Sequence, residues 1–176
     1  MAAAAAMAGG VALWQRRGRP FGERTGFREL QWPDLIPAGW DPKLRLPAAS
    51  PATQLDSDPA SARLLAELRA MLDSAPTVDA LNGVDAKIAG YVVPLEGRQS
   101  DQTEFLLVPY FGACIHTPPP PANQIVHVMS TLPAPGPRAM ETVWVSGRLT
   151  ASRQVSAMGA SGYQMKAVAL ERYVAP

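Results

Sequence analysis

The chain has 176 residues, 47% of them hydrophobic and 18% charged, with 16 basic against 15 acidic side chains for a formal net charge of +1. That length suits one compact domain with appendages, and the apolar share is enough for a core, so collagen, long coiled coils and wholly disordered chains are excluded. The near balance of charge leaves no footprint for nucleic acid. A single cysteine excludes an intrachain disulfide framework or a Cys-rich zinc module, and 18 prolines with 14 glycines favour loops, turns and strands over a helical bundle.

Residues 1–13 form an uncharged, Ala-rich apolar run, followed by Trp14 and then Arg16, Arg17 and Arg19. The run is too short to span a bilayer, which takes ~20 residues. It resembles the apolar part of a secretory signal without the basic residues that precede one. The expectation is that residues 1–26 are a signal-like remnant and basic linker, that the true start lies upstream of Met1, and that the protein is exported to the periplasm or cell envelope. A disordered Ala-rich tail is the other reading, and membrane association could come only through this end.

Prolines at 20, 33, 37, 42, 47 and 51 forbid a long helix before residue 58, since each removes an amide donor and restricts its predecessor. Residues 27–57 therefore read as an extended Pro-rich strap. Its Leu30, Trp32, Leu35, Ile36 and Trp40 are too apolar to be left in water, and they predict that the strap lies across the main domain or a partner.

Residues 58–74 carry the clearest helix. Asp58 stands at the capping position, Pro59 at the first helical position, and Leu64, Leu65, Leu68, Met71 and Leu72 make one apolar stripe. Arg63, Glu67, Arg69 and Asp73 read as its solvated face, and Ala75 and Pro76 end it. After the turn signal Asn82-Gly83 the period changes from helix to strand. Strands are predicted at 84–95, 104–111, 124–129, 142–149 and 163–170; Val143, Val145 and Leu149 alternate with Thr142, Ser146 and Arg148. Five short strands, with bends at Gly90 and Gly147, are what a small closed barrel needs. The fold class is mainly β with one helix (α+β). Residues 58–176 are expected to form one domain, an amphipathic helix followed by a small five-stranded OB-like barrel, with an open antiparallel sheet packed on the helix as the alternative.

The most unusual local text is PYFGACIHTPPPPANQIV, residues 109–126. Cys114 and His116 are two apart, so in an extended segment both project to one face, and sulfur with imidazole nitrogen is the pair that zinc or copper would choose. A closed zinc site wants about four ligands. His127 and acids such as Glu96, Asp101 or Glu104 are the other ligands in reach by type. The bland alternative is a small buried Cys114 and a hydrogen-bonded loop His116. A thiol enzyme with Cys114 as nucleophile and His116 as base needs an orienting group as well, for which only the proximity of Asn123 speaks. Pro118, Pro119, Pro120 and Pro121 impose a rigid polyproline II stretch. With Tyr110, Phe111 and Asn123 they form a preorganised partner surface, which loses little entropy on binding. The chain contains no Gly-rich phosphate loop, HExxH, GxSxG or CxxC motif. Tyr91, Tyr110 and Phe111 could stack single-stranded bases, but residues 81–176 hold seven bases against six acids, too few for a backbone-tracking groove.

GYVVPLEG (90–97), EFLLVPYFGACIHTPPPPANQIV (104–126), VWVSGRL (143–149) and the upstream LQWPDLIPAGW (30–40) together resemble an uncharacterised bacterial envelope protein family catalogued as a domain of unknown function, over roughly residues 30–173. The resemblance implies a small exported or lipid-anchored protein, often encoded beside an ABC transporter permease and a periplasmic zinc-binding protein. Cys114, His116 and prolines 118–121 belong to the hallmark by that resemblance. The chain departs from the family in lacking a lipid-attachment cysteine near its start. The expected function is a non-enzymatic envelope accessory protein working with an ABC transporter system in metal trafficking. The alternatives are direct zinc or copper binding by Cys114 and His116, and a thiol enzyme.

Overall fold

The computed structural model describes residues 26–41, 59–95, 103–110, 120–132, 137–156 and 159–174. Six strands, β1 (Arg28–Glu29), β2 (Val84–Pro94), β3 (Glu104–Val108), β4 (Val126–Ser130), β5 (Thr142–Ser156) and β6 (Gly159–Arg172), and one helix, α1 (Pro59–Asp73), make the architecture mostly β. The sheet has six strands rather than five. The sixth, β1, lies in the strap, where Arg28 and Glu29 pair parallel with Ala86 and Lys87 of β2. The strap is therefore not extended throughout: after β1 it makes a 3-10 turn over Trp32–Leu35, whose start is tied by the Asp34 carboxylate accepting from the Gln31 amide at 2.8 Å.

β2 is long enough to serve two further neighbours. It pairs antiparallel with β5 from Val84 to Tyr91 and, on its other edge, with β3 from Tyr91 to Pro94. β3 pairs antiparallel with β4, β4 parallel with β6, and β6 antiparallel with β5, so the pairings run β2–β3–β4–β6–β5 and return to β2. Alternation along each strand sends one set of side chains inward. Ile88, Val92, Phe105, Leu107, Val126, Val128, Val145, Leu149, Tyr163 and Met165 are all buried there, together with Leu30 and Leu35 from the strap. A smaller apolar cluster, Val93, Leu106, Val108 and Ile125 with Tyr91 and Leu95 against it, lies on the opposite face of β2 and β3.

Between the β1 and β3 pairings the edge of β2 is completed by a side chain. The Trp32 indole N–H donates to Ala89 O at 2.8 Å, and the ring lies where Gly90 has no side chain: a Cβ there would stand 2.9 Å from Trp32 Cζ2 and 2.8 Å from both Leu107 Cγ and Val108 O. The described part of the strap, residues 27–41, is thus packed intramolecularly, with Leu30 and Leu35 in the core.

The helix forms where its sequence predicts, but its apolar stripe is not buried as one. Leu72 is buried, Leu68 and Met71 are half-buried, and Leu64 and Leu65 remain 44% and 63% exposed. Among the described residues the contacts of α1 are at its carboxyl end: Asp73 Oδ1 accepts from the Ala160 amide at 3.3 Å, and Ala75, just beyond the helix, packs with Ala122, Ala160 and Trp40. Strands β5 and β6 run farther than their alternating segments, continuing as a hairpin to Ser156 and from Gly159. Residues 1–25 and 42–58, and with them the signal-like run, most of the linker and the capping Asp58, lie outside the described residues. Among the described residues no helix is long and apolar enough to cross a membrane.

Candidate functional site

The unusual segment 109–126 joins β3 to β4, and its two ends can be built up from their contacts. At the upstream end Val108 is buried at the end of β3, and Tyr110 stands 45% exposed two residues on. At the downstream end Pro120 is buried and Pro121 half-buried, and the chain makes a 3-10 turn over Ala122–Gln124 before entering β4. Proline rigidity explains the approach to the turn: Pro121, with φ −61° and ψ 153°, holds the polyproline conformation directly before it.

The turn is fixed by side chains whose partners are remote in sequence. Asn123, wholly buried, donates from Nδ2 to Pro76 O at 3.0 Å, and Gln124 donates from Nε2 to Trp32 O at 2.9 Å. Asn123 Oδ1 has no hydrogen-bond partner among the described residues. In this structure Asn123 and Pro120, expected on the partner surface, are buried. Polar Asn in a Pro-rich run reads as solvated loop, and only the approach of Pro76 turns it inward. Cys114, His116, Phe111, Pro118 and Pro119 lie outside the described residues, as do Glu96 and Asp101.

Two of the ligand types named from sequence do meet. His127 on β4 and Glu104 on β3 project from the same outward face, with Nε2 and Oε1 2.9 Å apart and the imidazole only 12% exposed. His127 Nδ1 is buried and has no hydrogen-bond partner among the described residues. Among the described residues no group of three or more His, Cys, Asp or Glu side chains is placed to hold a metal ion.

Tyr163 is the residue that sequence reading missed. It is wholly buried on β6; its hydroxyl donates to Leu35 O at 2.9 Å and accepts from the Val78 amide at 2.6 Å, joining the strap to the stretch that follows α1. Burial, together with the negative charge of Asp79, raises its pKa above the ordinary tyrosine value, against the lowering effect of the Val78 hydrogen bond. Its inward position is legible from the alternation Tyr163, Met165, Ala167. Its partners are not, because they lie 128 and 85 residues away.

Among curated proteins nothing matches. The crystal structure of a DUF3299 family protein from Pseudomonas aeruginosa PAO1 is similar at a TM-score of 0.63 and 39% identity, over 85% of this chain and 98% of that one. The family model described as "Protein of unknown function (DUF3299)" matches residues 32–172, a span running from the Trp32 that closes the edge of β2 to the last residue of β6. With the turn and strands β2 to β6 inside that span, the chain belongs to the DUF3299 family.

Proposed function

We propose that this protein is a non-enzymatic accessory protein of the bacterial envelope that presents residues 109–126 to a protein partner, an ABC transporter permease or a periplasmic metal-binding protein, in metal trafficking. The observation that carries the reading is the anchoring of that segment at both ends. Val108 is held in the β3 ladder and the turn Ala122–Gln124 by Asn123 and Gln124, so a segment stiffened by four prolines starts and finishes at fixed points, which lowers the entropy lost when a partner binds. We read the five strands β2 to β6 as an OB-like barrel; the return of the pairing circuit to β2 and the parallel pairing of β4 with β6 support this. Export to the periplasm rests on the Ala-rich run at the amino terminus, and the transporter setting on the resemblance of the motifs. The test is site-specific photo-crosslinking in the native host, with the photoreactive residue at Tyr110 and, as a control, at the 80% exposed Val155 on the hairpin. Adducts with a permease or metal-binding protein from position 110 and not from 155 are expected. Equal labelling from both positions, or none from 110, overturns the reading.

A second reading is zinc or copper(I) binding through Cys114 and His116, for which His127 is the one described residue with a ligand's surroundings. A ring with one nitrogen on a carboxylate and the other buried with no partner among the described residues has the arrangement of a metal-ligating histidine and its outer-shell acid. Titration of the full chain under reducing conditions should then give stoichiometric binding that is lost in Cys114→Ser and His116→Ala and weakened roughly 10–100-fold in Glu104→Gln. Unchanged binding in Cys114→Ser removes this reading.

A further inference from the structure

The turn Ala122–Gln124 is a junction of three parts of the chain. Gln124 reaches the strap at Trp32 O, Asn123 reaches Pro76 beyond α1, and β6 closes from the third side, where a Cβ on Gly162 would lie 2.9 Å from Ala122 O and 3.0 Å from Thr77 Cγ2. Ala122 is buried with Ala75 and Ala160, and Trp40 of the strap packs against them. The strap in turn is held by three hydrogen bonds to the sheet: Leu30 N to Lys87 O at 2.8 Å, Trp32 Nε1 to Ala89 O at 2.8 Å, and Tyr163 OH to Leu35 O at 2.9 Å.

We propose that the strap, residues 30–40, and the turn Ala122–Gln124 dock and undock as one cooperative unit, so that the amino-terminal arm is coupled through Trp32 and Gln124 to the base of the proline segment. The coupling arises because the bonds are shared. When the strap leaves, Gln124 loses its Trp32 acceptor and Ala122 loses the Trp40 ring, and the turn keeps only Asn123 and the β6 backbone. When the turn moves, Trp32 loses the donor on its carbonyl and the strap loses part of its seat. Contiguous segments that open together below the threshold of global unfolding are the ordinary form of such a unit. Coupling of this kind is reciprocal: whatever binds or restrains the strap biases the turn, and a partner on the proline segment biases the strap. The regulatory meaning rests on the reading of residues 109–126 as a partner surface; the coupling itself does not.

Native-state hydrogen exchange on the full chain tests it without any partner. The strap amides of Leu30, Ile36 and Trp40 and the turn amides of Gln124 and Ile125 are all hydrogen-bonded and report directly. Gln124→Ala, which cuts the bond to Trp32 O, is expected to speed exchange ~10-fold or more at both sets while the β5–β6 ladder is unchanged. Trp32→Phe, which cuts the indole bond to Ala89 O and trims the ring that lies over Gly90, is expected to do the same. Acceleration confined to the turn in Gln124→Ala, or to the strap in Trp32→Phe, overturns the coupling. Uniform acceleration that includes the β5–β6 ladder overturns it equally, since the unit would then be the whole domain. Failure of the Tyr110 crosslinks leaves this result standing, so the two proposals fail separately.

Discussion

Replacing Tyr163 with Phe is expected to lower stability by about 2–4 kcal/mol while leaving the fold intact. The ring still fills its place, but the Leu35 carbonyl, wholly buried, loses its donor and the half-buried Val78 amide loses its acceptor; a buried polar group left unpaired costs about 1–3 kcal/mol, and the half-buried one adds less. For a domain of this size the midpoint of thermal unfolding should fall by roughly 5–15 °C. A fall of under about 2 °C in a calorimetric scan would show that water replaces both partners and that the hydroxyl does not tie the strap to the stretch after α1.

The same hydroxyl sets an expected pH dependence. Burial raises the pKa of Tyr163 in the folded protein, while in the unfolded chain it titrates near the ordinary value of about 10. Below that pH the phenol is neutral in both states and its contribution is complete. Above it the unfolded chain releases the proton and the folded protein retains it, so stability falls as pH rises. A phenolate could no longer donate to Leu35 O. The stability gap between the wild-type protein and Tyr163→Phe should therefore be constant through neutral pH and narrow above about pH 10, with the other tyrosines and the lysines cancelling in the difference. A gap that widens there in urea titrations would reverse the sign and the assignment.

These effects hang on contacts of different legibility. Period-two alternation places all five strands β2 to β6 and Asn82-Gly83 marks the turn before β2, where Gly83 has φ +80°. Pro59 and the leucine spacing place α1. What alternation cannot report is partnership. Nothing in Arg28-Glu29 predicts a parallel pairing with Ala86-Lys87, and the polar run from Thr150 to Ser156 shows no apolar period, although it continues β5 by pairing with the start of β6. Strand pairing is set by backbone groups that every residue carries, so a stretch without a buried face leaves no mark in sequence. The candidate site divides in the same way. The proline run shows that the segment is stiff, but the inward turn of Asn123 and the meeting of His127 with Glu104 depend on which strands lie side by side.

Gly147→Ala is expected to cost the most of any single methyl group added to the sheet, at least about 3 kcal/mol and enough to prevent folding at moderate temperature. Along β5 and β6 the register is Ser146 with Ala169 and then Gly147 with Ala167, so Val168 is an extra residue on β6. The bulge changes the parity of β6: Tyr163, Met165 and Ala167 face the core, Val168 is left 37% exposed, and Leu170 turns back to pack on the core opposite Val145. The bent strand brings its backbone over Gly147. A Cβ there would be driven into the Lys166 carbonyl oxygen and would stand 2.8 Å from Lys166 C and 2.9 Å from Ala167 Cα. These are backbone atoms of a paired strand, with no flexible end to swing aside. Relief requires shifting β6 in its pairing with β5, which carries Leu170 off the core, or with β4, which disturbs Val126 and Val128. Val168→Ala, which trims the extra residue without touching the approach, should change stability by no more than about 0.5–1 kcal/mol. Comparable loss in the two variants by urea unfolding would place the strain in the bulge residue rather than at Gly147, whereas a folded Gly147→Ala of wild-type stability would mean that β6 can move away without loss of the core.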